Sequence, residues 1–73
     1  MHGMIVDRDG VRILNLGHQP GQAAGDTTLR VKRVLNGKPV VQLVPVATSF
    51  LLDNNLEDKL LAWVKTLDAP EGK

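Results

Sequence analysis

The fold is decided by residues 27–46, which read Thr27-Thr28-Leu29-Arg30-Val31-Lys32-Arg33-Val34-Leu35-Asn36-Gly37-Lys38-Pro39-Val40-Val41-Gln42-Leu43-Val44-Pro45-Val46. Two runs rich in β-branched residues flank the dipeptide Asn36-Gly37. An Asn-Gly pair between two such runs is the strongest short-range signal for a β-hairpin. The stretch therefore predicts two antiparallel strands joined by a tight turn.

The length of this turn sets the register of the two strands. A two-residue loop at Asn36-Gly37 would pair Arg33 with Val40 and would leave both faces of the hairpin mixed. A three-residue loop that starts at Leu35, with Gly37 in the left-handed region, pairs Val34 with Lys38 instead. Odd-numbered positions then share a face that is apolar except for one arginine: Leu29, Val31, Arg33, Pro39, Val41, Leu43 and Pro45. The even positions form an amphipathic, basic face. Because a one-residue slip would mix the faces, we predict the three-residue loop.

Two prolines in the second strand indicate its place in the sheet. Pro39 and Pro45 both occupy positions whose backbone nitrogen would face away from the partner strand, so neither removes a hydrogen bond from the hairpin. A further strand could pair only with the residues between them. We therefore predict that residues 39–46 form an edge or near-edge strand.

A second hairpin is predicted near the N-terminus, where residues 4–7 and 11–16 flank Arg8-Asp9-Gly10. The adjacent apolar residues Ile13 and Leu14 interrupt the alternation, and either a bulge or burial on both faces would explain them.

The connection between the hairpins is predicted to be a mobile loop, because residues 17–26 contain three glycines and no large apolar side chain. A phosphate-binding loop is excluded there, since Gly25 is followed by Asp26 rather than by lysine.

One helix is predicted at the C-terminal end, over residues 55–68. Asn54 is the expected N-cap, and Pro70 predicts that the helix stops near Asp68. Apolar residues recur at helical spacing and form one stripe: Leu56, Leu60, Trp63, Val64 and Leu67. Residues 47–52 fit either a continued strand or a short helical turn, and we expect Phe50 and Leu52 to fill the core.

Length and composition indicate a single small domain of 73 residues with a net charge of +1 and no cysteine. The absence of cysteine excludes disulfides and thiolate metal sites and is typical of a reducing compartment. No apolar run approaches membrane-spanning length, and we expect a cytoplasmic protein. The predicted fold is α+β: a small antiparallel sheet of two β-hairpins with one C-terminal helix packed on a face. Residues 1–3 and 70–73 are expected to fray.

The sequence offers no constellation typical of catalysis. His2 and His18 have no second ligand at metal spacing, and Ser49 has no neighbouring base. Asp7 and Asp9 flank a turn, where aspartates usually form local hydrogen bonds. We therefore expect a protein that is not an enzyme and that holds neither a cofactor nor a metal.

The basic cluster Arg30, Lys32, Arg33 and Lys38 is the one candidate binding feature. It has three interpretations: a solvated strand face, a docking surface for an acidic protein, or a phosphate-binding surface for nucleic acid. Sheets that recognise nucleic acid usually supply aromatic stacking platforms, whereas the two aromatic residues of this chain, Phe50 and Trp63, are predicted core residues. The loop around His18 is a further candidate contact with a partner.

The whole chain resembles small phage-encoded regulators of bacterial RNA polymerase, in particular an initiation inhibitor and antiterminator of a Xanthomonas phage. The resemblance extends from Met1-His2-Gly3-Met4 through the turn at residues 35–39 to Pro70-Glu71-Gly72-Lys73 and lies in length and general character. It implies a partner in the β′ subunit, near its N-terminus and the RNA exit channel, with the β flap as a further contact.

The same resemblance implies a non-catalytic mechanism: weakening of the σ-factor contact, and suppression of termination together with an elongation factor. A small DNA- or RNA-binding regulator that uses the basic hairpin face is the alternative, followed by a structural or oligomerising domain. We expect a monomer.

Overall fold

The computed structural model describes residues 3–68, which form a four-stranded antiparallel sheet and one α-helix. The strands are β1 (Gly3–Arg8), β2 (Val11–Gly17), β3 (Asp26–Leu35) and β4 (Lys38–Ala47), and they lie side by side in chain order. A 3-10 helix, Thr48–Leu51, leads to helix α1, Leu56–Val64. The predicted α+β fold of two hairpins and one C-terminal helix is confirmed, and β4 is an edge strand as its prolines indicated.

The turn at Asn36-Gly37 has two residues, and the predicted three-residue loop is wrong. Leu35 pairs with Lys38, and both turn residues have positive φ, 54° at Asn36 and 78° at Gly37. This backbone is that of a type I′ turn, whose twist matches the right-handed twist of the flanking strands. Asp9 and Gly10 form the same kind of turn between β1 and β2, with φ values of 57° and 78°.

The two-residue turn changes which residues of β4 share a face with β3. Arg33 pairs with Val40 and Val31 with Gln42, so the even positions of β4 accompany the buried odd positions of β3. Val41 and Leu43, predicted to lie on the apolar face, are on the opposite face and are 48% and 63% exposed. Lys38, predicted to project with Arg30 and Lys32, pairs with Leu35 and belongs to the other side of the sheet. The mixed pattern is tolerated because Val44 and Val46 pack against the core and Gln42 accepts a hydrogen bond from Arg33.

The core lies between the sheet and α1. It consists of six buried apolar residues, four from the sheet and two from the helix: Val6, Ile13, Leu29, Val31, Leu60 and Val64. Leu56 and Trp63 pack at its margin, so the predicted stripe is confirmed within α1, and Leu67 packs there from the turns that follow the helix. Phe50 also packs there and lies against Trp63, with 5.6 Å between ring centroids. Leu52, predicted to be in the core, is 80% exposed because it follows the 3-10 helix in the connection to α1.

The helix is shorter than predicted and begins one residue later. Its N-cap is Asn55 rather than Asn54, and the Asn55 N–H donates to Asp53 Oδ1 at 3.0 Å. After Val64 the chain continues in tight turns, in which the Leu67 N–H donates to the Val64 carbonyl at 3.2 Å. The helix therefore ends at Val64 and not near Asp68, and Pro70 lies outside the described residues.

The sheet contains two register shifts, one between β1 and β2 and the other between β2 and β3. Ile5 is an extra residue between the pairs Met4–Leu14 and Val6–Ile13, and a second shift lies between Asn15 and Gly17. Ile13 is buried in the core while Leu14 is half-buried on the opposite face, which explains the adjacent apolar residues. The bulge at Ile5 brings Met4 opposite Leu14.

The connection between β2 and β3 contains several hydrogen bonds. The Gln22 N–H donates to the Gln19 carbonyl, and the Gln19 side chain donates to the Leu16 carbonyl at 2.8 Å. Its mobility stays a prediction. Of the ends expected to fray, Gly3 begins β1, and the rest lies outside the described residues.

Replacing Leu60 by alanine tests the packing of α1 on the sheet. Leu60 is fully buried, so Leu60→Ala is expected to lower the free energy of unfolding by about 2–5 kcal/mol, a large share of the stability of so small a domain. Chemical denaturation measures the change. Lys65→Ala serves as the control, because Lys65 directly follows α1, is exposed and forms no ion pair within residues 3–68. Equal midpoints for Leu60→Ala and Lys65→Ala would contradict helix-on-sheet packing.

Substitutions at Gly37 test the turn. Its φ of 78° is unfavourable for a β-branched residue and tolerable for asparagine, so Gly37→Val is expected to cost about 1–3 kcal/mol and Gly37→Asn clearly less. Thermal unfolding of both variants gives the comparison. The same stability for valine and asparagine would show that Gly37 does not need the left-handed backbone.

Candidate functional site

The candidate site is the face of the sheet that α1 does not cover, called here the open face. Two cross-strand rows span all four strands on it. The first row is Met4, Leu14, Arg30 and Leu43. The second row is Asp7, Arg12, Lys32 and Val41. Val34 and its partner Pro39 extend the face toward the Asn36-Gly37 turn.

The open face exposes four large apolar side chains. Met4 is 50% exposed, Val41 48%, Val34 61% and Leu43 63%. Single exposed apolar side chains are ordinary, whereas several on one face indicate an interaction surface. Three of these four residues come from the β3–β4 hairpin, so the apolar part lies toward the β4 edge.

The basic part of the open face lies on β2 and β3. Arg12, Arg30 and Lys32 line a shallow depression of about 220 Å³ together with Met4 and Leu14. Arg12 and Lys32 are directly paired across the strands, and like charges at such a pair destabilise a sheet by roughly 0.2–1 kcal/mol. Asp7 compensates in part, since Arg12 Nε donates to its Oδ1 at 3.4 Å. Within residues 3–68 neither Arg30 nor Lys32 forms an ion pair.

Arg33 is separated from the other basic residues of the predicted cluster. It is only 7% exposed and lies on the covered face, beneath the C-terminal end of α1. Its Nη1 donates to the Val64 carbonyl at 2.7 Å, and its Nη2 donates to Gln42 Oε1 at 3.1 Å and to the Leu67 carbonyl at 3.3 Å. Carbonyl groups at a helix C-terminus lack partners within the helix, and a cation satisfies them. Arg33 therefore joins the sheet to the helix.

The other two predicted partner-binding residues also lie away from Arg30 and Lys32. Lys38 is exposed at the hairpin tip, on the opposite side of the strand pair. His18 lies in the loop at the other end of the sheet, and its Nδ1 donates to the Asp26 carbonyl at 2.9 Å. The structure thus brings together two of the five predicted partner-binding residues, Arg30 and Lys32.

Five residues of the open face were missed as candidates from the sequence: Arg12, Met4, Leu14, Val41 and Leu43. The correct hairpin register would have identified Val41 and Leu43. The pairing of Arg12 with Lys32 needs the alignment of β2 on β3, and the connection over residues 18–25 separates these two strands in the chain. No pattern within either strand could have indicated that pair.

Comparisons with models of protein families, with curated proteins and with solved structures found no match for this chain. The resemblance to phage regulators of RNA polymerase therefore stays a prediction. No helix within residues 3–68 is long and apolar enough to cross a membrane. In the same range, no three His, Asp or Glu side chains cluster in a way that could hold a metal ion.

Paired substitutions separate the structural arginine from the surface arginine. Arg33→Met leaves the buried carbonyl of Val64 without this donor, and we expect a loss of about 1–3 kcal/mol in the free energy of unfolding. Arg30→Met removes an exposed charge that has no ion-pair partner among the described residues, and its expected effect lies within about 0.5 kcal/mol. Urea denaturation of both variants measures the difference. Similar losses for the two variants would contradict the assignment.

Proposed function

We propose that this protein is a non-enzymatic interaction domain that regulates bacterial RNA polymerase by docking on it through the open face. The observation that carries the proposal is that one sheet face combines exposed apolar residues with two cations that form no ion pair within residues 3–68. Val41 and Leu43 supply apolar contact area, and Arg30 and Lys32 supply charge. Buried apolar anchors account for most of the affinity of protein interfaces, and charges at the rim raise the association rate and select the partner.

The choice of RNA polymerase comes from the resemblance of the sequence to phage regulators. The proposed contact is the β′ subunit, near its N-terminus and the RNA exit channel, with the β flap as a further contact. Docking there weakens the σ-factor contact at initiation and suppresses termination together with an elongation factor. A protein of this kind acts in the cytoplasm of the infected cell, as a monomer.

Nucleic-acid binding is the second candidate function, and the depression between Arg12, Arg30 and Lys32 favours it. These three side chains could each contact a phosphate. The open face carries no aromatic residue, because the chain contains only Phe50 and Trp63 and both pack against the core on the other face. Base stacking is therefore absent from this surface, and affinity would have to come from phosphate contacts alone.

A binding series at two salt concentrations distinguishes the two functions. The ligands are purified core polymerase, duplex DNA and single-stranded RNA. We expect core polymerase to bind at physiological salt and the nucleic acids to bind weakly. A nucleic-acid binder would instead lose affinity steeply with salt, with a logarithmic slope of about 0.7–0.9 per phosphate contact.

Variants locate the surface in the same assay. Leu43→Ser combined with Arg30→Glu is expected to abolish polymerase binding, whereas Lys38→Glu, on the other side of the sheet, is the matched control and should bind as the parent does. Tight, salt-steep binding to nucleic acid with none to polymerase would overturn the proposal. Polymerase binding that survives both open-face substitutions would place the contact elsewhere on the protein.

A further inference from the structure

The sheet edges are poorly suited to bind a partner by adding a strand. On β4, Pro39 and Pro45 lack the N–H groups that a further strand needs, and only Val41 and Leu43 remain as donors between them. On β1, the extra residue Ile5 shifts the register in the middle of the strand. Prolines and bulges at edges are devices that hinder edge pairing. We therefore expect a partner to bind on the open face rather than along an edge of the sheet.

The covered face shows what kind of element this sheet accepts. Helix α1 lays Leu60 and Val64 on the sheet, and acidic residues of its first turn reach a sheet arginine. Arg8 bonds to Asp58 at 2.7 Å and to Glu57 at 3.4 Å, and the hydrogen bond with Asp58 raises the pKa of Arg8. An apolar stripe with flanking carboxylates is thus complementary to one side of the sheet.

The open face presents the same two ingredients without the helix. Leu43 and Val41 are exposed beside Arg30 and Lys32, which are their direct cross-strand partners. In each row, an apolar side chain of β4 lies next to a cation of β3. A covering element must therefore carry apolar and acidic side chains close together, and an amphipathic helix provides this arrangement.

Charge argues against a second copy of this chain as the covering element. Within residues 3–68, Arg12, Arg30 and Lys32 outnumber Asp7, the acidic residue of the same two cross-strand rows, which already bonds to Arg12. A two-fold pairing brings the same surface patch of each copy together and would oppose the two basic clusters. The partner must instead bring net negative charge.

We propose that the open face binds an acidic amphipathic helix of a partner protein. The apolar side of this helix packs on Val41 and Leu43, and its carboxylates enter the depression between Arg12, Arg30 and Lys32. The inference rests on the proposed function only in taking the partner to be a protein, and it holds whether or not that protein is RNA polymerase. It specifies the chemistry of the docking segment.

The test uses the full chain labelled with ¹⁵N and three synthetic probe peptides of about 18 residues, long enough to form a helix. The first has leucines at helical spacing flanked by glutamates, the second has lysine in place of each glutamate, and the third has the composition of the first in scrambled order. We expect saturable amide shifts in β2, β3 and β4 with the first peptide, and affinities at least about tenfold weaker with the other two.

Matched variants show which residues bind the probe. Arg30→Glu and Lys32→Glu are expected to weaken the affinity for the acidic peptide about tenfold or more, and Leu43→Ser is expected to increase its dissociation rate. Lys65→Glu, at the residue directly after α1, is the control and leaves binding unchanged. Unchanged amide spectra away from each substitution confirm that the variants are folded. Equal binding of all three peptides, or shifts confined to the β1 and β4 edges, would overturn the proposal.

Other outcomes bear on the two proposals separately. Self-association of the free chain in sedimentation, lost in Leu43→Ser, would overturn the helix proposal in favour of a dimer, and preferential binding of single-stranded RNA at the same residues would overturn it in favour of nucleic acid. Binding of the acidic peptide without binding of core polymerase would leave the helix inference standing and reject the proposed partner. Polymerase binding that is unaffected by Arg30→Glu, by Lys32→Glu and by the competing peptide would reject the helix inference and leave polymerase as the partner.

Discussion

The two-residue turn at Asn36-Gly37 is the constraint on which the rest of the structure depends. Because Leu35 pairs with Lys38, every later pair of the β3–β4 hairpin is determined, including Val31 with Gln42 and Arg30 with Leu43. Side chains alternate strictly between the faces of a strand, so a shift of one residue would exchange the two faces of β4. The turn thereby places Val44 and Val46 against the core and leaves Val41 and Leu43 on the open face.

The buried Arg33 shows how the covered face accommodates this register. Its guanidinium is shared between Gln42 of the neighbouring strand and the carbonyl groups at the end of α1, so a polar pair that interrupts the apolar pattern becomes the link between sheet and helix. A buried polar group is stabilising only when hydrogen bonds replace its lost hydration. The Arg33 Nε has no partner among the described residues, which leaves part of that cost uncompensated.

The open face differs from the covered face, because two of its cations face each other and its apolar side chains are exposed. Arg12 and Lys32 face each other across β2 and β3, and large apolar side chains beside them stay in contact with water. Both features lower the stability of the isolated domain. A partner that brings apolar and acidic groups would remove both costs at once, which is the physical link between the proposed docking function and the inferred helical segment.

Local sequence signals determined much of this protein. The Asn-Gly and Asp-Gly dipeptides indicated the two hairpins, the prolines indicated that β4 lies at an edge, and the spacing of Leu60 and Val64 indicated the buried side of the helix, because each signal depends on residues close together in the chain.

The tertiary structure alone decided the rest. The register was predicted wrongly from the assumption that one face is apolar except for Arg33, and Lys38 was therefore placed on the same face as Arg30 and Lys32. Arg33 was grouped with them because it is close to them in the sequence. Only the packed helix gives Arg33 its carbonyl partners, and only the alignment of β2 on β3 brings Arg12 beside Lys32. Contacts between distant segments have no local pattern, so the candidate site could be recognised only in part from the sequence.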